Sequence, residues 1–267
     1  MADLGEMGRR RFGRINWIGT LTLAEREIRR FVNVWSQTLM APLITAGLFL
    51  LVFDLAIGPR RGDVMGVPFI TFIAPGILMM TVIQNSFANT SSSILVSKVQ
   101  GNIVDTLMPP LSALEMVVGY IAGGIARGLL VAICIGLGAL VFLGIGVAHP
   151  LWALVFVVLG AALMGGLGII AATFANKFDQ MAAITNFIVT PLAFLSGTFY
   201  SVASLPPFMQ TLSHLNPIFY LIDGARYGIL GVSDSDPWLG LLICSVTTAA
   251  VLTLCWSWFR SGYRLKP

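Results

Sequence analysis

The sequence is poor in charge. Asp, Glu, Lys and Arg make up 10% of its 267 residues, against 57% hydrophobic, where a soluble domain carries roughly 25% charged residues. That deficit excludes an ordinary water-soluble chain and makes lipid the solvent for most of it. Lysine is scarcer still, with Lys98, Lys177 and Lys266 the only three. A Walker A loop needs Gly-Lys followed by Ser or Thr. These lysines follow Ser97, Asn176 and Leu265, so the chain has no P-loop with which to hydrolyse ATP. Two histidines, His149 and His214, fall in expected loop or outer positions. That argues against a bis-His haem or a zinc site, and no metal site is expected. No Gly-x-Ser-x-Gly elbow occurs. The three cysteines, Cys134, Cys244 and Cys255, lie inside apolar runs, so buried thiols and no disulfide framework are expected. The basic N-terminus is not followed by a short apolar region with a cleavage site, and no signal peptide is expected.

What the sequence has instead is apolar length. A hydrocarbon core about 30 Å thick takes about 20 helical residues to cross. Six runs qualify: 36–57, one within 67–92, 114–144, 151–175, 181–200 and 237–259. At 1.5 Å per residue the third would be about 45 Å long and must tilt, bend or project. Before the first run, residues 20–35 (TLTLAEREIRRFVNVW) place Leu21, Ala24, Ile28, Phe31 and Trp35 at helical spacing. This apolar stripe with charges around it suits an interfacial amphipathic helix.

Six spans put both termini on one side. If that side is the cytosol, it holds twelve basic residues, and the other side holds only Arg60, Arg61 and Arg226. Cytosolic loops carry the excess of Lys and Arg, so both termini are expected inside. The basic balance of the chain, net +4, then reflects orientation and not a nucleic-acid partner. Arg61-Gly62-Asp63 reads as a chance tripeptide in a turn.

Two stretches break the pattern. The inner loop, 98–114, carries charges and Pro109-Pro110. On the outer side, 205–224 (LPPFMQTLSHLNPIFYLIDG) is apolar, yet Pro206, Pro207 and Pro217 cut it into pieces too short to span. Pro207 suits a first helical position. Phe208, Leu212 and Leu215 then line one short helix, and Asn216-Pro217 ends it and restarts the chain. Ile218, Leu221, Ile222, Ala225 and Ile229 form a second stripe, with Asp223 and Arg226 one turn apart. Half-helices at membrane depth must be buried in protein or line a cavity, so an outer re-entrant cap is expected over 205–231. Within the spans, Arg127, Gln84 and Asn85 form a candidate polar site, since an intramembrane Arg is a functional candidate; the structural alternative is an Arg satisfied by carbonyls. Gly119-x-x-x-Gly123 and Gly124-x-x-x-Gly128 permit close helix packing without naming the neighbour.

Two stretches, GNIVDTLMPPLSALEMVVGYIAGG (101–124) and TPLAFLSGTFYSVASLPPFMQTLSHLNPIFYLIDGARYGILG (190–231), together resemble the membrane subunit of ABC-2 type exporters, in particular the small bacterial inner-membrane permeases of that family. The resemblance covers essentially the whole chain. It implies an all-α integral membrane protein forming one transmembrane domain over 1–267, with a tail and interfacial helix over 1–35. It also implies a separate ATP-binding cassette ATPase subunit, which would hold the ATP and Mg²⁺, and a second permease copy as a homodimer. The loop 98–114 would be the coupling element, through Lys98, Asn102, Asp105, Thr106, Leu107 and Pro109; relatives often have Glu where this chain has Asp105. Pro207, Phe208, Leu212, Asn216, Pro217, Asp223 and Arg226 would belong to an outer gate. The substrate would be an amphiphilic small molecule, a lipid or a lipid-linked glycan, in a bacterial inner membrane whose lipids surround the spans. An ATP-independent channel or secondary carrier is the alternative, disfavoured because midplane carboxylates are scarce. A membrane enzyme is disfavoured by the absence of a nucleophile or metal cluster.

Overall fold

A computed structural model describes residues 15–60 and 62–264. The arginines of the N-terminal tail, Arg61 of the tripeptide and Lys266 lie outside the described residues. Among the described residues every regular element is helical, apart from one isolated bridge between Val64 and Val67. An amphipathic helix α1 (Trp17–Val32) leads into span one, a π-helical turn (Ser36–Met40) followed by α2 (Ala41–Ala56). Span two is α3 (Phe69–Val99). A short helix α4 (Ile103–Leu107) precedes span three, α5 (Ala113–Leu143), and span four is α6 (Pro150–Phe174). Span five is α7 (Phe178–Ile184), a second π-helical turn (Thr185–Val189) and α8 (Thr190–Leu195). The broken stretch forms α9 (Pro207–Leu215) and α10 (Pro217–Leu230), and span six is α11 (Pro237–Ser261). Six helical stretches are thus long and apolar enough to cross a membrane.

Both π turns have a physical cause. Pro42 and Pro191 stand near the starts of α2 and α8. A proline inside a helix lacks its N–H and collides with the carbonyl four residues back. A wider turn at that place relieves the collision without ending the span.

The core is built on α3, which packs on α5, α6 and α10. Of its most apolar stretch 78% is buried inside the chain, against 6% for span one. Span two is therefore the hub and span one a peripheral helix. Phe72, Ile73, Met79, Val82 and Ile83 fill the hub. Below them, Ser86 donates to the Gly124 carbonyl (3.1 Å) and Thr90 to the Gly165 carbonyl (2.7 Å), tying α3 to α5 and α6. Such bonds hold helices together where no hydrophobic drive between helices exists.

The paired glycine motifs of α5 serve two neighbours. A Cβ on Gly119 would meet Leu23, and one on Gly123 would meet Glu27, both on α1. Gly124 and Gly128 lie instead against Thr90 and Ser86 of α3. Gly123→Ala places its new carbon 2.5 Å from Glu27 Cβ, so it should lower thermal stability by about 1–3 kcal/mol. Gly138→Ala, where a Cβ meets nothing within 4 Å, should be silent. Melting curves of the two variants in detergent test this; equal curves would show that α1 does not press on α5.

Several expectations need correction. Span two does not stop at residue 92. The helix runs on to Val99, its serines tolerated because their hydroxyls are satisfied locally or across to α1, as Ser97 bonds to Ser93 O, Ser92 to Asn89 O and Ser93 to Glu27. Span five ends at Leu195, because Gly197 takes a left-handed conformation (φ +75°) that turns the chain back. Of the α1 stripe only Phe31 is buried, and Leu21, Ile28 and Trp35 are exposed. The face that packs on the bundle is Thr20, Leu23, Glu27 and Phe31. The apolar stripe is left free, as a helix lying on a bilayer requires. Cys134 is half-buried, unlike Cys244 and Cys255, and all three are free thiols.

Candidate functional site

The structure gathers the polar residues at the two ends of the bundle. At the α1 end, α4 stands between α3 and α5. Ile103 and Thr106 face inward; Asn102, Val104, Asp105, Met108 and Pro109 are exposed, and Leu107 is half-buried. Met108 is 76% exposed, more than a methionine keeps without a reason to be there. The return to α5 is rigid. Ser112 and Glu115 form a capping box, and Glu115 accepts from the backbone N–H of Ser112 and of Asn16, each at 2.6 Å. Since Asn16 caps α1, one carboxylate joins the starts of two helices, as helix N-termini favour.

Thr106 points into a charged knot. Its hydroxyl accepts from Arg26 (3.1 Å), whose other terminal nitrogen donates to Glu27 Oε1 (3.2 Å). Glu27 is 0% exposed. It also accepts from Ser93 on α3 (2.7 Å) and from Arg30 Nε (3.3 Å). Arg30 continues to Ser92 and to both oxygens of Asn89. One turn deeper, Asn85 accepts from Arg127 (2.8 Å) and donates to the Thr81 carbonyl. A column of polar residues therefore runs from α4 to the middle of α5. Gln84, half-buried beside Asn85, makes no hydrogen bond in it.

Lys98 differs from its expected role. Its ammonium is buried and donates to the carbonyls of Ala172, Thr173 and Ala175 at 2.9–3.0 Å. It caps the C-terminus of α6, where a cation meets orphan carbonyls and the negative end of the helix dipole. Lys98 and Thr106 are both buried within the chain. The exposed apolar contacts of α4, Val104 and Met108, were not singled out from sequence.

At the α10 end the proline breaks fall as expected. Pro207 opens α9, and Asn216 caps α10 through the Ile218 N–H (3.0 Å) ahead of Pro217. The Asn216 amide also donates to Ser196 Oγ and the Leu192 carbonyl, fixing α10 to span five. Phe208, Leu212 and Leu215 are exposed, so the α9 stripe is not packed within one chain. α10, in contrast, is deeply buried. Arg226 is 0% exposed. It lies 3.4 Å from Asp223 and 3.9 Å from Asp234, donates to the Gly197 carbonyl (2.6 Å), and stacks over the Phe72 ring at 4.1 Å. Asp223 also accepts from the backbone N–H of Asp234 and Ser235 and from the Ser235 hydroxyl. Asp234 accepts from the Ser201 hydroxyl and the Val202 N–H. Burial pushes the Asp223 carboxyl above the ordinary carboxylate value, opposed by the Asp234 amide, Arg226 and Ser235. Burial lowers Arg226, opposed by the two aspartates. One triad thus locks α10 to the turn after span five and to the loop before span six. The histidines are packing groups: His149 stacks on Tyr227 and His214 meets Phe219 edge-on.

Glu27 and Asp234 were missed from sequence. Glu27 sits in a Glu-Arg-Glu run that reads as a solvated face. The usable signal was the four-residue spacing of Gly119 and Gly123, which matches Leu23 and Glu27 on α1.

Among the described residues, six apolar helices, an exposed short helix at one end and a broken, charge-locked pair at the other define an all-α multi-pass membrane protein. The family model of the ABC-2 type transporter matches residues 19–230. The chain is 39% identical over 250 residues to the inner membrane transport permease YadH of Escherichia coli (strain K12), covering 94% of this chain and 98% of that protein. It is 24% identical over 233 residues to nodulation protein J of Neorhizobium galegae (86% and 88%), and 26% identical over 222 residues to nodulation protein J of Sinorhizobium fredii (80% and 81%). The chain belongs to the ABC-2 type transporter family, as its permease component and a multi-pass protein of the bacterial inner membrane.

Proposed function

We propose that this chain is the pathway-forming half of an ATP-driven exporter, with both termini in the cytosol, working as a homodimer with two copies of a separate ATP-binding cassette subunit. ATP and Mg²⁺ belong to that partner. The observation that carries this reading is α4. Its outward face offers Val104, Asp105 and Met108 to a soluble protein, while its inward face is bonded through Thr106 to Arg26 and Glu27. A push on α4 therefore reaches α1 and, through Ser93, the hub helix α3. Packed elements of this kind move as units between discrete arrangements. At the far end α9 and α10 act as the outer gate, α10 as the fixed post and the exposed stripe of α9 as the surface that closes against the second copy. Apolar surfaces close a pathway by excluding water. The substrate is an amphiphilic small molecule, a lipid or a lipid-linked glycan.

Purification of the tagged chain in mild detergent, with mass spectrometry of what accompanies it, tests the reading. A stoichiometric soluble protein bearing Gly-x-x-x-x-Gly-Lys-Ser/Thr supports it. Its absence, under conditions that preserve another ABC complex, favours an ATP-independent carrier. Met108→Asp, and to a lesser degree Asp105→Ala and Leu107→Ala, should weaken recovery of the ATPase with the chain still in the membrane. Loss of an interface anchor costs about 2 kcal/mol, or about thirtyfold in affinity. Undiminished recovery with Met108→Asp would remove α4 from the interface.

A further inference from the structure

Between α2 and α5, toward the α10 end, lies a cavity of about 660 Å³, within the roughly 300–1,000 Å³ typical of small-molecule sites. Its wall includes Leu50, Ile135, Gly138 and Phe142, the half-buried Cys134, and a single charged side chain, Asp54. Gly138 and Gly47 open onto empty space, since a Cβ on either meets nothing within 4 Å. Among the described residues Asp54 has neither a hydrogen bond nor an ion pair; Arg60, in the turn that follows, is exposed and does not pair with it. Asp54 is exposed two residues before the end of α2, where a carboxylate beside an apolar wall is free to pair with a cation. Here the unpaired anion and a large apolar surface share one wall, and Phe142 adds an aromatic face able to meet a cation.

We propose that this cavity binds a lipophilic cation: an apolar body filling the space between α2 and α5, with its positive charge at Asp54. The proposal rests on the permease reading only in making such a cation a transported substrate. Binding itself needs no ATPase. A neutral lipid chain would fill the apolar wall but leave Asp54 unpaired.

The test uses two ions of the same shape and opposite charge, tetraphenylphosphonium and tetraphenylborate. Equilibrium binding is measured on the full chain in nanodiscs of uncharged lipid, against empty discs. Saturable binding of the phosphonium and none of the borate is expected. Asp54→Asn should weaken phosphonium binding about tenfold or more, the loss of a charge-assisted contact. Gly138→Leu, which fills open space and leaves the charge in place, should also remove it. Cys134 supplies the location: Cys244 and Cys255 are 0% exposed, so a thiol reagent reads Cys134, and bound phosphonium should slow its modification. Equal binding of both ions, no binding above empty discs, or an unchanged affinity in Asp54→Asn overturns the proposal. Phosphonium binding by a chain that recovers no ATPase would leave this site standing and overturn the exporter reading instead.

Discussion

Arg226→Met is expected to cost about 3–5 kcal/mol, the penalty for removing one partner from a buried ion pair. Methionine approximates the length of the side chain and keeps its contact with Phe72. The charge is what disappears, and Asp223 and Asp234 are then left buried with no cation between them. A folded protein holds only about 5–15 kcal/mol in reserve, and a chain of this size loses about 2–4 °C in melting temperature per kcal/mol. The variant should melt on the order of 10 °C lower or fail to accumulate. The triple variant Arg226→Met, Asp223→Asn, Asp234→Asn separates charge from packing. It removes the uncompensated anions and should recover most of the loss, because a neutral replacement of a whole buried charged cluster is tolerated far better than half of one. Thermal denaturation of both in detergent decides the matter. A single variant that melts with the parent would mean that Arg226 does not hold the triad.

Glu27→Gln should have its largest effect on coupling. The substitution keeps the volume and leaves an acceptor for Ser93, but removes the charge that holds Arg26 and Arg30. Those guanidiniums are partly exposed (46% and 35%) and recover water, so the fold tolerates the change better than the loss of Arg226. Hydrogen bonds to charged groups contribute about 1.5–3 kcal/mol, which corresponds to about tenfold or more in a coupled equilibrium. In the reconstituted transporter, substrate-stimulated ATP turnover should fall by about that factor while the ATPase still copurifies. Retained copurification is the readout that a merely structural role would not give, because an unfolded α1 end would shed the partner. Ser93→Ala, which removes one neutral donor, should give a smaller loss. Full stimulation in Glu27→Gln would falsify the role of the knot.

Residue chemistry along one dimension was enough for much of this architecture. Apolar run length predicts six spans because a lipid core admits only helices with every backbone group satisfied internally. Pro207, Asn216 and Pro217 predict where α9 and α10 begin, because proline fits the first turn of a helix and stops the one before it. The pairing of Asp223 with Arg226 follows from helical spacing alone. Other features had no local signature. The serines at 91–93 and Gly197 belong to residue types found both in helices and at their ends, and only their partners distinguish the cases.

What the sequence determined by itself, then, is the solvent each segment tolerates, the number of crossings and the positions of the breaks, since these depend on the side chains of one segment. Tertiary structure decided which neighbours the segments meet. It made Lys98 the cap of α6, Glu27 the centre of a charged knot and Arg226 a buried lock. It also left Asp54 beside an apolar cavity with no pairing among the described residues. The physical reason is common to all four. The cost of a charge in a membrane protein depends on whether an opposite charge or a polar group lies within hydrogen-bond reach; Lys98, Glu27 and Arg226 each draw at least one such partner from a distant segment, and Asp54 has none among the described residues.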